Sequence, residues 1–331
     1  MKVLLINSDD GLDYLADLVN YFFITNNFEI YTNHNFEYLF QSFGSKENLY
    51  GKGFTIYGTI DNSNKDSITV YDIESIFENI QIYDLVVFTS IHRNYKNRKI
   101  KDFFNILKSK NQTDNVIVLD GEDFTDIDEE VAKVTNYFKR ELIERYDKLA
   151  KPISLSFPKL QLQTETFSIE KKTQLLAPMD PRFSNSYIFD EKSYYQQYSK
   201  SIFATTIKKA GWDCMRHYEI LSSLTLLYFP NIENKPKLTM NYFPLKLQIE
   251  VNNLFIKLLT NHENVDTVEN IRSSNYSKNI FRSGIKKVKT KMSKMNIIEN
   301  NLKTIEFYNS EFNSWFMKYG TTDSYKERFN L

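Results

Sequence analysis

Residues 201–230 read SIFATTIKKAGWDCMRHYEILSSLTLLYFP, and this stretch predicts a strand, a helix and a second strand. Its two apolar ends, 201–207 and 224–230, are rich in β-branched and aromatic residues, which favour strands. Parallel strands that are joined through a helix form a right-handed βαβ unit. We therefore expect an α/β fold around this stretch.

Charged and titratable side chains gather between these two strands, namely Asp213, Arg216, His217 and Glu219. A helix N-terminus that follows a strand presents N–H donors and positive potential to an anion. We therefore predict a ligand site here. The alternative is a surface ion pair between Arg216 and Glu219, with His217 packed on a neighbour, since pairs at this spacing are common on helices.

The first half of the chain alternates strand and helix patterns in the same way. The pattern predicts strands at 3–6, 28–31, 54–57, 85–89 and 116–119, and helices at 14–22, 100–107 and 129–146. The run at 85–89 is the most apolar and should lie at the centre of the sheet. Strands that alternate with helices predict a parallel, Rossmann-like sheet.

A chain of 331 residues is longer than one hydrophobic core usually fills, so we expect two domains. The boundary is predicted near Pro152, because a proline interrupts the helical pattern there. Further strands are predicted at 153–157 and 174–177, and further helices at 191–200 and 245–259. We predict two Rossmann-like lobes at 1–150 and 151–265, followed by a helical C-terminal extension at 266–331.

The composition of the chain excludes several classes of protein. Lys plus Arg and Asp plus Glu are balanced at 42 each, so no global charge directs the chain to nucleic acid or membranes. The lone Cys214 excludes an intramolecular disulfide framework and a cysteine-rich zinc site, which fits a reducing compartment. The apolar run after Met1 is too short for a signal peptide, and no window reaches the roughly 18 apolar residues of a spanning helix. We expect a cytoplasmic protein. Any contact that it makes with a membrane would be peripheral.

Polar residues follow the predicted strands, at the edge where open α/β sheets bind ligands. They are NSDDG at 7–11, SIHR at 90–93, DGED at 120–123, MDPR at 179–182 and KK at 208–209. Both lobes are therefore predicted to direct charge at one cleft. The loop at 7–11 has one glycine and two aspartates, which argues against a dinucleotide, and the P-loop, HExxH and GxSxG patterns are absent.

The DGED motif places Asp120, Glu122 and Asp123 at the end of a predicted strand. One of these carboxylates could act as a general base that takes a proton from an acceptor hydroxyl, because crowded like charges raise a carboxyl pKa. The alternative is a solvated turn or a helix cap, where Asp and Gly are favoured. Mg²⁺ is a further option through one or two carboxylates and a substrate phosphate, but the spacing does not require a metal.

Several cations follow strands in the second half of the chain, namely Arg182, Lys208, Lys209 and Arg216. Cations stabilise the charge that develops when a diphosphate leaves, so these residues are predicted to form a diphosphate clamp. The alternative for Lys208 and Lys209 is plain solvent exposure. His217 is predicted to contact phosphate or the transferred group, with a packed neutral histidine as its alternative.

Two basic segments are predicted to be solvent-exposed faces of helices. YFKREL at 137–142 is predicted to be an amphipathic helix with a solvated charged face. The run that carries Lys286, Lys287, Lys289 and Lys291 is also predicted to be a solvated helix face. Anionic lipid or nucleic acid is the alternative ligand for this run.

These motifs resemble a known family. GWDCMRHYEIL at 211–221, followed by LLYFP at 226–230, resembles the segment of GT-B glycosyltransferases in which an Arg-x-x-Glu-like helix start precedes a strand and a proline. Exostosin-like and spore-coat-type glycosyltransferases show related patterns. DGED at 120–123 with YFKRE at 137–141 also looks like the end of the N-terminal lobe in such proteins. The resemblance runs from about the fourth strand to Leu259, and it departs at Ser222 and Ser223, where many relatives have a small residue and a glycine.

The resemblance implies two Rossmann-like lobes, with a nucleotide-sugar donor held mainly by the second and an acceptor held mainly by the first. It implies a UDP- or GDP-sugar as the donor and no obligatory metal or other cofactor. Glu219 would bind the donor ribose, and Arg182, Lys208 and Arg216 would bind the diphosphate, with Asp213 and His217 beside them.

We therefore predict a cytoplasmic glycosyltransferase of the GT-B class, which transfers a sugar to a glycan, a lipid-linked saccharide or another hydroxyl acceptor. One of Asp120, Glu122 and Asp123 would be the base if the enzyme inverts the anomeric centre. The first alternative is a non-catalytic α/β protein that binds a nucleotide or a partner chain. The second is a transferase that glucosylates nucleic acid, for which the basic run near Lys286 is the only local support.

Overall fold

The computed structural model describes residues 1–8, 12–78, 82–94, 97–162, 167–182, 190–260 and 301–331. Within these ranges the chain forms two parallel sheets flanked by helices. Three predictions lie wholly or partly outside the described residues: the loop at 7–11 beyond Ser8, the basic run near Lys286, and the first part of the C-terminal extension.

The first sheet has seven strands, all paired in parallel. They are β1 (Lys2–Ile6), β2 (Glu29–Thr32), β3 (Ile68–Val70), β4 (Leu85–Phe88), β5 (Val116–Asp120), β6 (Asn136–Lys139) and β7 (Lys151–Pro152). The spatial order is β3-β2-β1-β4-β5-β6-β7, so the winding direction reverses between β1 and β4. This is the doubly wound order of Rossmann-like folds, in which ligands bind at the point of reversal. The predicted central position of the 85–89 strand is confirmed.

Helices cover both faces of this sheet. They are α1 (Tyr14–Thr25), α2 (Ile73–Glu78), α3 (Ile91–Asn94), α4 (Arg98–Ser109) and α5 (Glu129–Ala132). In β1 the side chains of Val3 and Leu5 join the core that contains α1, whereas those of Leu4 and Ile6 join the core that contains α4. Alternate residues of a strand point to opposite faces, so a strand buried on both sides is apolar throughout.

The second sheet has three parallel strands in the order β10-β9-β8. They are β8 (Gln174–Leu176), β9 (Ser201–Thr205) and β10 (Leu226–Tyr228), and the helices between and after them are α6 (Glu191–Ser199), α7 (Met215–Ser222) and α8 (Leu245–Thr260). The strand–helix–strand unit predicted from residues 201–230 is confirmed, because α7 connects β9 to its parallel neighbour β10. The chain is therefore α/β in both of its sheets.

The C-terminal helices, α9 (Leu302–Tyr319) and α10 (Ser324–Arg328), connect the two sheets. Helix α9 contacts α7 and α8, and then Thr321 forms a parallel bridge with Phe157. Arg328 Nη1 donates a hydrogen bond to the Ser154 carbonyl oxygen at 2.8 Å, and the ring of Phe329 stacks on that of Phe23 in α1. One apolar core consequently includes residues of both sheets. No helix in the described parts of the chain is both long and apolar enough to cross a membrane.

Two elements differ from the prediction. The helix predicted at 129–146 is wrong, because its first turn is α5, its middle is strand β6 and its end is a short 3₁₀ turn at Glu144–Tyr146. Tyr137 and Phe138 are both buried, but in the cores on opposite faces of the sheet. Two adjacent aromatic residues therefore satisfied a helical pattern while belonging to a strand that is buried on both sides.

The strand predicted at 54–57 is also wrong, because this segment forms turns, and Thr55 has a φ of 73°. The edge strand is instead β3, which has only three residues, and these are half-buried to exposed. The predicted strand at 153–157 pairs only at Phe157. Strand β7 pairs with β6, so the first sheet continues to Pro152.

Candidate functional site

A cleft of about 780 Å³ lies where carboxyl ends of strands from both sheets meet. Its walls include residues that follow β1, β4, β5 and β6 of the first sheet, and residues 209–211 and 213–216 after β9 of the second. The loop between β2 and β3 contributes Gly51, Lys52 and Phe54 to the opposite wall. The cleft contains the reversal point between β1 and β4, where the topology alone predicts a ligand.

The acidic loop after β5 divides into one buried carboxylate and two that face the cleft. Asp120 is 1% exposed and accepts hydrogen bonds from Lys139 Nζ at 2.8 Å and from the Tyr137 hydroxyl at 2.7 Å, and its Oδ2 lies 2.9 Å from His92 Nε2. Burial tends to raise the pKa of Asp120, but the hydrogen bond to His92 and the charge of Lys139 outweigh it and hold the pKa below its ordinary value. Asp120 is therefore an ionised, internally paired group behind the cleft wall.

Glu122 and Asp123 both line the cleft, and each is paired with an arginine. Arg93 Nε donates to Glu122 Oε1 at 3.2 Å, and Arg140 pairs with Asp123, whose side chain is half exposed. The backbone of this loop is fixed as well, because Lys139 Nζ donates to the Glu122 carbonyl oxygen at 3.2 Å. These two carboxylates have access to a ligand, which Asp120 lacks.

Arg140 and Glu141, just after β6, attach the first sheet to the loop that precedes α7. The buried Glu141 carboxylate accepts hydrogen bonds from the N–H groups of Trp212 and Asp213, each at 3.0 Å, and Arg140 donates to the Asp213 carbonyl oxygen. Burial raises the pKa of Glu141. Gly211 permits this contact, because a Cβ there would lie 2.6 Å from Glu141 Oε1 and 2.7 Å from Asp123 Oδ1.

The N-terminus of α7 opens into the cleft beside two cations. Its N-cap residue, Cys214, makes no capping hydrogen bond through its side chain, and both Lys209 and Arg216 line the cleft. Burial lowers the pKa of the Lys209 ammonium, and the like charge of Arg216 lowers it further. An anion placed here would receive helix N–H donors and two positive charges.

Cys214 and His217 form a neutral pair. The sulfur lies 3.4 Å from His217 Nε2, burial raises the pKa of the Cys214 thiol, and burial lowers the pKa of His217 to about 4. His217 Nδ1 lies 2.9 Å from Thr206 Oγ1, and its Nε2 lies 2.8 Å from the Trp212 carbonyl oxygen. His217 does not line the cleft, and its contacts fit the packed alternative.

The other predicted donor-binding residues separate into two groups. Arg182 pairs with Asp180 through contacts of 2.6–3.0 Å, Lys208 lies over the Trp212 ring, and neither of these described cations lines the cleft. Asp213 lines the cleft but already accepts from the Leu155 N–H at 2.7 Å and from the Tyr218 hydroxyl at 3.0 Å. Arg216 and Glu219, the remaining predicted donor-binding residues, also line the cleft.

Glu219 is a buried carboxylate in the cleft wall, only 8% exposed. Its Oε1 accepts from the Thr55 hydroxyl and its Oε2 from the Tyr194 hydroxyl, both at 2.6 Å. Burial raises the pKa of Glu219, while the two hydrogen bonds oppose the rise. Both carboxylate oxygens are thus bound to hydroxyl groups.

Sequence reasoning missed the site roles of Arg140, Glu141 and Thr55. The sequence pattern predicts Arg140 and Glu141 on the solvated face of a helix, and it predicts Thr55 in a strand. SIHR at 90–93 was singled out as a polar segment after a strand, and it contains Arg93, which lines the cleft. The position of a residue after a strand was therefore the signal that located cleft residues.

Another buried carboxylate, Asp17, lies in α1. It accepts hydrogen bonds from the Tyr38 hydroxyl at 2.9 Å and the Tyr57 hydroxyl at 2.8 Å. The Tyr57 ring stacks on Tyr14, which lines the cleft. Burial raises the pKa of Asp17 to about 7, although the two tyrosine hydrogen bonds oppose the shift.

We expect Asp17→Asn to remove a pH-dependent loss of stability. The unfolded chain releases this proton near the ordinary pKa of 3.8, whereas the folded chain keeps it up to about pH 7. Wild-type stability should therefore fall as the pH rises from about 4 to about 7. The variant should be the more stable protein at about pH 8, by at most about 4 kcal/mol, and its advantage should shrink toward about pH 4. Thermal unfolding across this range measures the difference, and an advantage that does not change with pH would contradict the prediction.

Among the residues that the structure describes, no three His, Cys, Asp or Glu side chains form a group that could hold a metal ion. No family model matches the chain, and neither a curated protein nor a solved structure matches it. The function proposed next therefore rests on the geometry and chemistry of the cleft.

Proposed function

We propose that the chain is a glycosyltransferase that transfers a sugar from a UDP- or GDP-sugar to a hydroxyl acceptor, with the two sheets as the lobes of a GT-B arrangement. The observation that carries the proposal is the cleft itself. It has carboxylates on the side of the first sheet, and it has the cations Lys209 and Arg216 and a helix N-terminus on the side of the second. A diphosphate needs the second set, and an acceptor hydroxyl needs the first.

In this proposal Arg216 and Lys209 bind the donor diphosphate together with the N–H groups of α7. The acceptor oxygen attacks the anomeric carbon, its proton passes to Glu122 or Asp123, and the bond from that carbon to the diphosphate oxygen breaks. The nucleoside diphosphate leaves with the bonding electron pair, and the cations stabilise the charge that develops on it. Direct displacement by one base would invert the anomeric centre. Mg²⁺ stays an optional ligand of the diphosphate.

The acceptor in this proposal is a glycan, a lipid-linked saccharide or another hydroxyl compound. The balanced charge and the lone cysteine favour a cytoplasmic setting. The nucleic-acid alternative has support only from the run near Lys286, which lies outside the described residues.

The non-catalytic alternative is favoured by one specific observation. Glu122 and Asp123 are each paired with an arginine, and both oxygens of Glu219 are occupied by hydroxyl groups. A nucleotide-binding protein without turnover would keep the contacts of Arg216 and Lys209 and need no base. Nucleotide binding is therefore common to both functions, and turnover separates them.

Calorimetric titration of UDP, GDP, ADP and CDP, with and without Mg²⁺, tests the donor site. We expect one nucleoside diphosphate to bind, and we expect Arg216→Ala and Lys209→Ala each to weaken its binding about 10-fold or more, since hydrogen bonds to charged groups are worth about 1.5–3 kcal/mol. Lys208→Ala is the matched control, because Lys208 lies outside the cleft on Trp212. Equal effects of Lys208→Ala and Lys209→Ala, or the binding of no nucleotide, would contradict the assignment.

A further inference from the structure

The loop at 46–58 is the wall of the cleft that crosses from the first sheet to the helices of the second. Lys46 Nζ lies 3.3 Å from Glu191 Oε2, and the Thr55 N–H donates to Glu191 Oε1 at 2.7 Å. The Thr55 hydroxyl donates to Glu219 Oε1 at 2.6 Å, and the Phe54 ring packs on that of Tyr194. Two carboxylates of the second half of the chain therefore hold one residue of this loop.

Thr55 is held in a conformation that it does not favour. Its φ of 73° makes it the only β-branched residue with a left-handed backbone in the described parts of the chain. A β-branched residue rarely adopts this region because its side chain collides with the backbone. Gly51, Gly53 and Gly58 of the same loop also have positive φ, which glycine adopts without strain. The contacts to Glu191 and Glu219, and that between Thr55 Oγ1 and the Tyr195 hydroxyl at 2.7 Å, must offset the strain at Thr55.

The same contact blocks the predicted ligand role of Glu219. Its two oxygens accept from the hydroxyls of Thr55 and Tyr194, and little of its side chain is exposed. A carboxylate oxygen can accept more than one hydrogen bond, but Glu219 is only 8% exposed, so a ligand hydroxyl can reach it only where one of these two hydroxyls leaves. Tyr194 belongs to α6 and packs against Tyr198 in the core, whereas Thr55 belongs to a strained, glycine-containing loop.

We propose that Thr55 is an internal competitor that occupies Glu219 in place of a ligand hydroxyl, and that the 46–58 loop must withdraw Thr55 before a nucleotide is fully bound. The inference rests on the proposed function for the ligand class, which is a ribose or sugar hydroxyl of the donor. The Glu219 carboxylate accepts a hydrogen bond from the Thr55 hydroxyl before the ligand binds and from a ligand hydroxyl afterwards. The strain at Thr55 favours its release, because the left-handed backbone can relax once the contacts break.

Three substitutions of Thr55 distinguish the effect of its hydroxyl from the effect of its backbone strain. Thr55→Val removes the hydroxyl and keeps the β-branch, Thr55→Gly removes both the hydroxyl and the strain, and Thr55→Ser keeps the hydroxyl. We expect Thr55→Val to bind the preferred nucleoside diphosphate about 10-fold more tightly than wild type, because apparent affinity rises with the fraction of competent protein. Thr55→Gly should bind more tightly by a smaller factor, and Thr55→Ser should bind like wild type. Calorimetric titration with UDP and GDP measures these affinities, and circular dichroism checks that each variant is folded.

A second readout follows the loop itself. Hydrogen exchange of the Thr55 amide, which donates to Glu191, should be faster with saturating nucleotide than without it. The competitor role of Thr55 would be refuted if both Thr55→Val and Thr55→Gly bound nucleotide as wild type does, or more weakly. If Arg216→Ala still lowered the affinity in that case, the proposed function would stand. Binding of no nucleotide to wild type or any variant would instead refute the proposed function, and the competitor would fall with it.

Discussion

Replacing Lys139 by Met is expected to lower the free energy of unfolding by about 3–5 kcal/mol, because it leaves the Asp120 carboxylate buried without its counter-charge. Both side chains are fully buried, and Lys139 Nζ lies 2.8 Å from Asp120 Oδ1. Lys139 also holds the Glu122 carbonyl oxygen, so the loss extends to the acidic loop at the cleft. Urea denaturation followed by circular dichroism measures the change in the unfolding midpoint.

Two further variants show whether the uncompensated charge is the cause. Asp120→Asn combined with Lys139→Met removes both charges, keeps an oxygen that accepts from Tyr137, and should recover most of the lost stability. Lys133→Met breaks an exposed pair with Glu130 and should change the midpoint little. Equal destabilisation by Lys139→Met alone and by the double variant would show that packing, and not charge, sets the effect.

The strand–helix–strand unit at 201–230 could be predicted because each of its parts has a local pattern. Strands β9 and β10 are buried throughout and mostly apolar, and α7 begins after a polar turn. The same reasoning failed at β6, where Tyr137 and Phe138 lie in the cores on opposite faces of the sheet. Whether such a short apolar run forms a helix or a strand depends on the neighbouring strand with which it can pair. The periodicity of the run alone does not identify that neighbour.

The candidate site was predictable only in part. Arg216 and Glu219 lie in the cleft, as expected from their position in the first turns of α7. The contact between Thr55 and Glu219 spans 164 residues of sequence, and the attachment of Glu141 to Trp212 spans 71. Thr55 also needs a positive φ, which glycine or asparagine would have signalled but threonine does not. Contacts between the two sheets therefore determine which polar residues are free for a ligand, and local patterns do not predict them.

Removing the carboxylate that we propose as the base is expected to have the largest effect on turnover. Glu122→Gln and Asp123→Asn keep the size and one acceptor oxygen of each side chain but cannot take a proton from the acceptor. We expect one of the two variants to lose about 10²–10⁴-fold in kcat, the range for a positioned general base, with nucleotide affinity unchanged. Initial rates with the donor sugar that the binding experiments identify, and with a saccharide acceptor, measure this loss.

Asp120→Asn is the control variant that distinguishes the loss of a catalytic base from the loss of structure in this acidic loop. Asp120 is buried and holds Lys139, Tyr137 and His92, so its loss should lower stability without removing the proton acceptor. If Asp120→Asn alone abolished turnover in a folded protein, while Glu122→Gln and Asp123→Asn kept full activity, the base would have to act from behind the cleft wall. That outcome would require the loop after β5 to rearrange before catalysis, because in this structure Lys139 and Glu122 enclose Asp120. Full activity of all three variants would instead remove the carboxylate base from the mechanism.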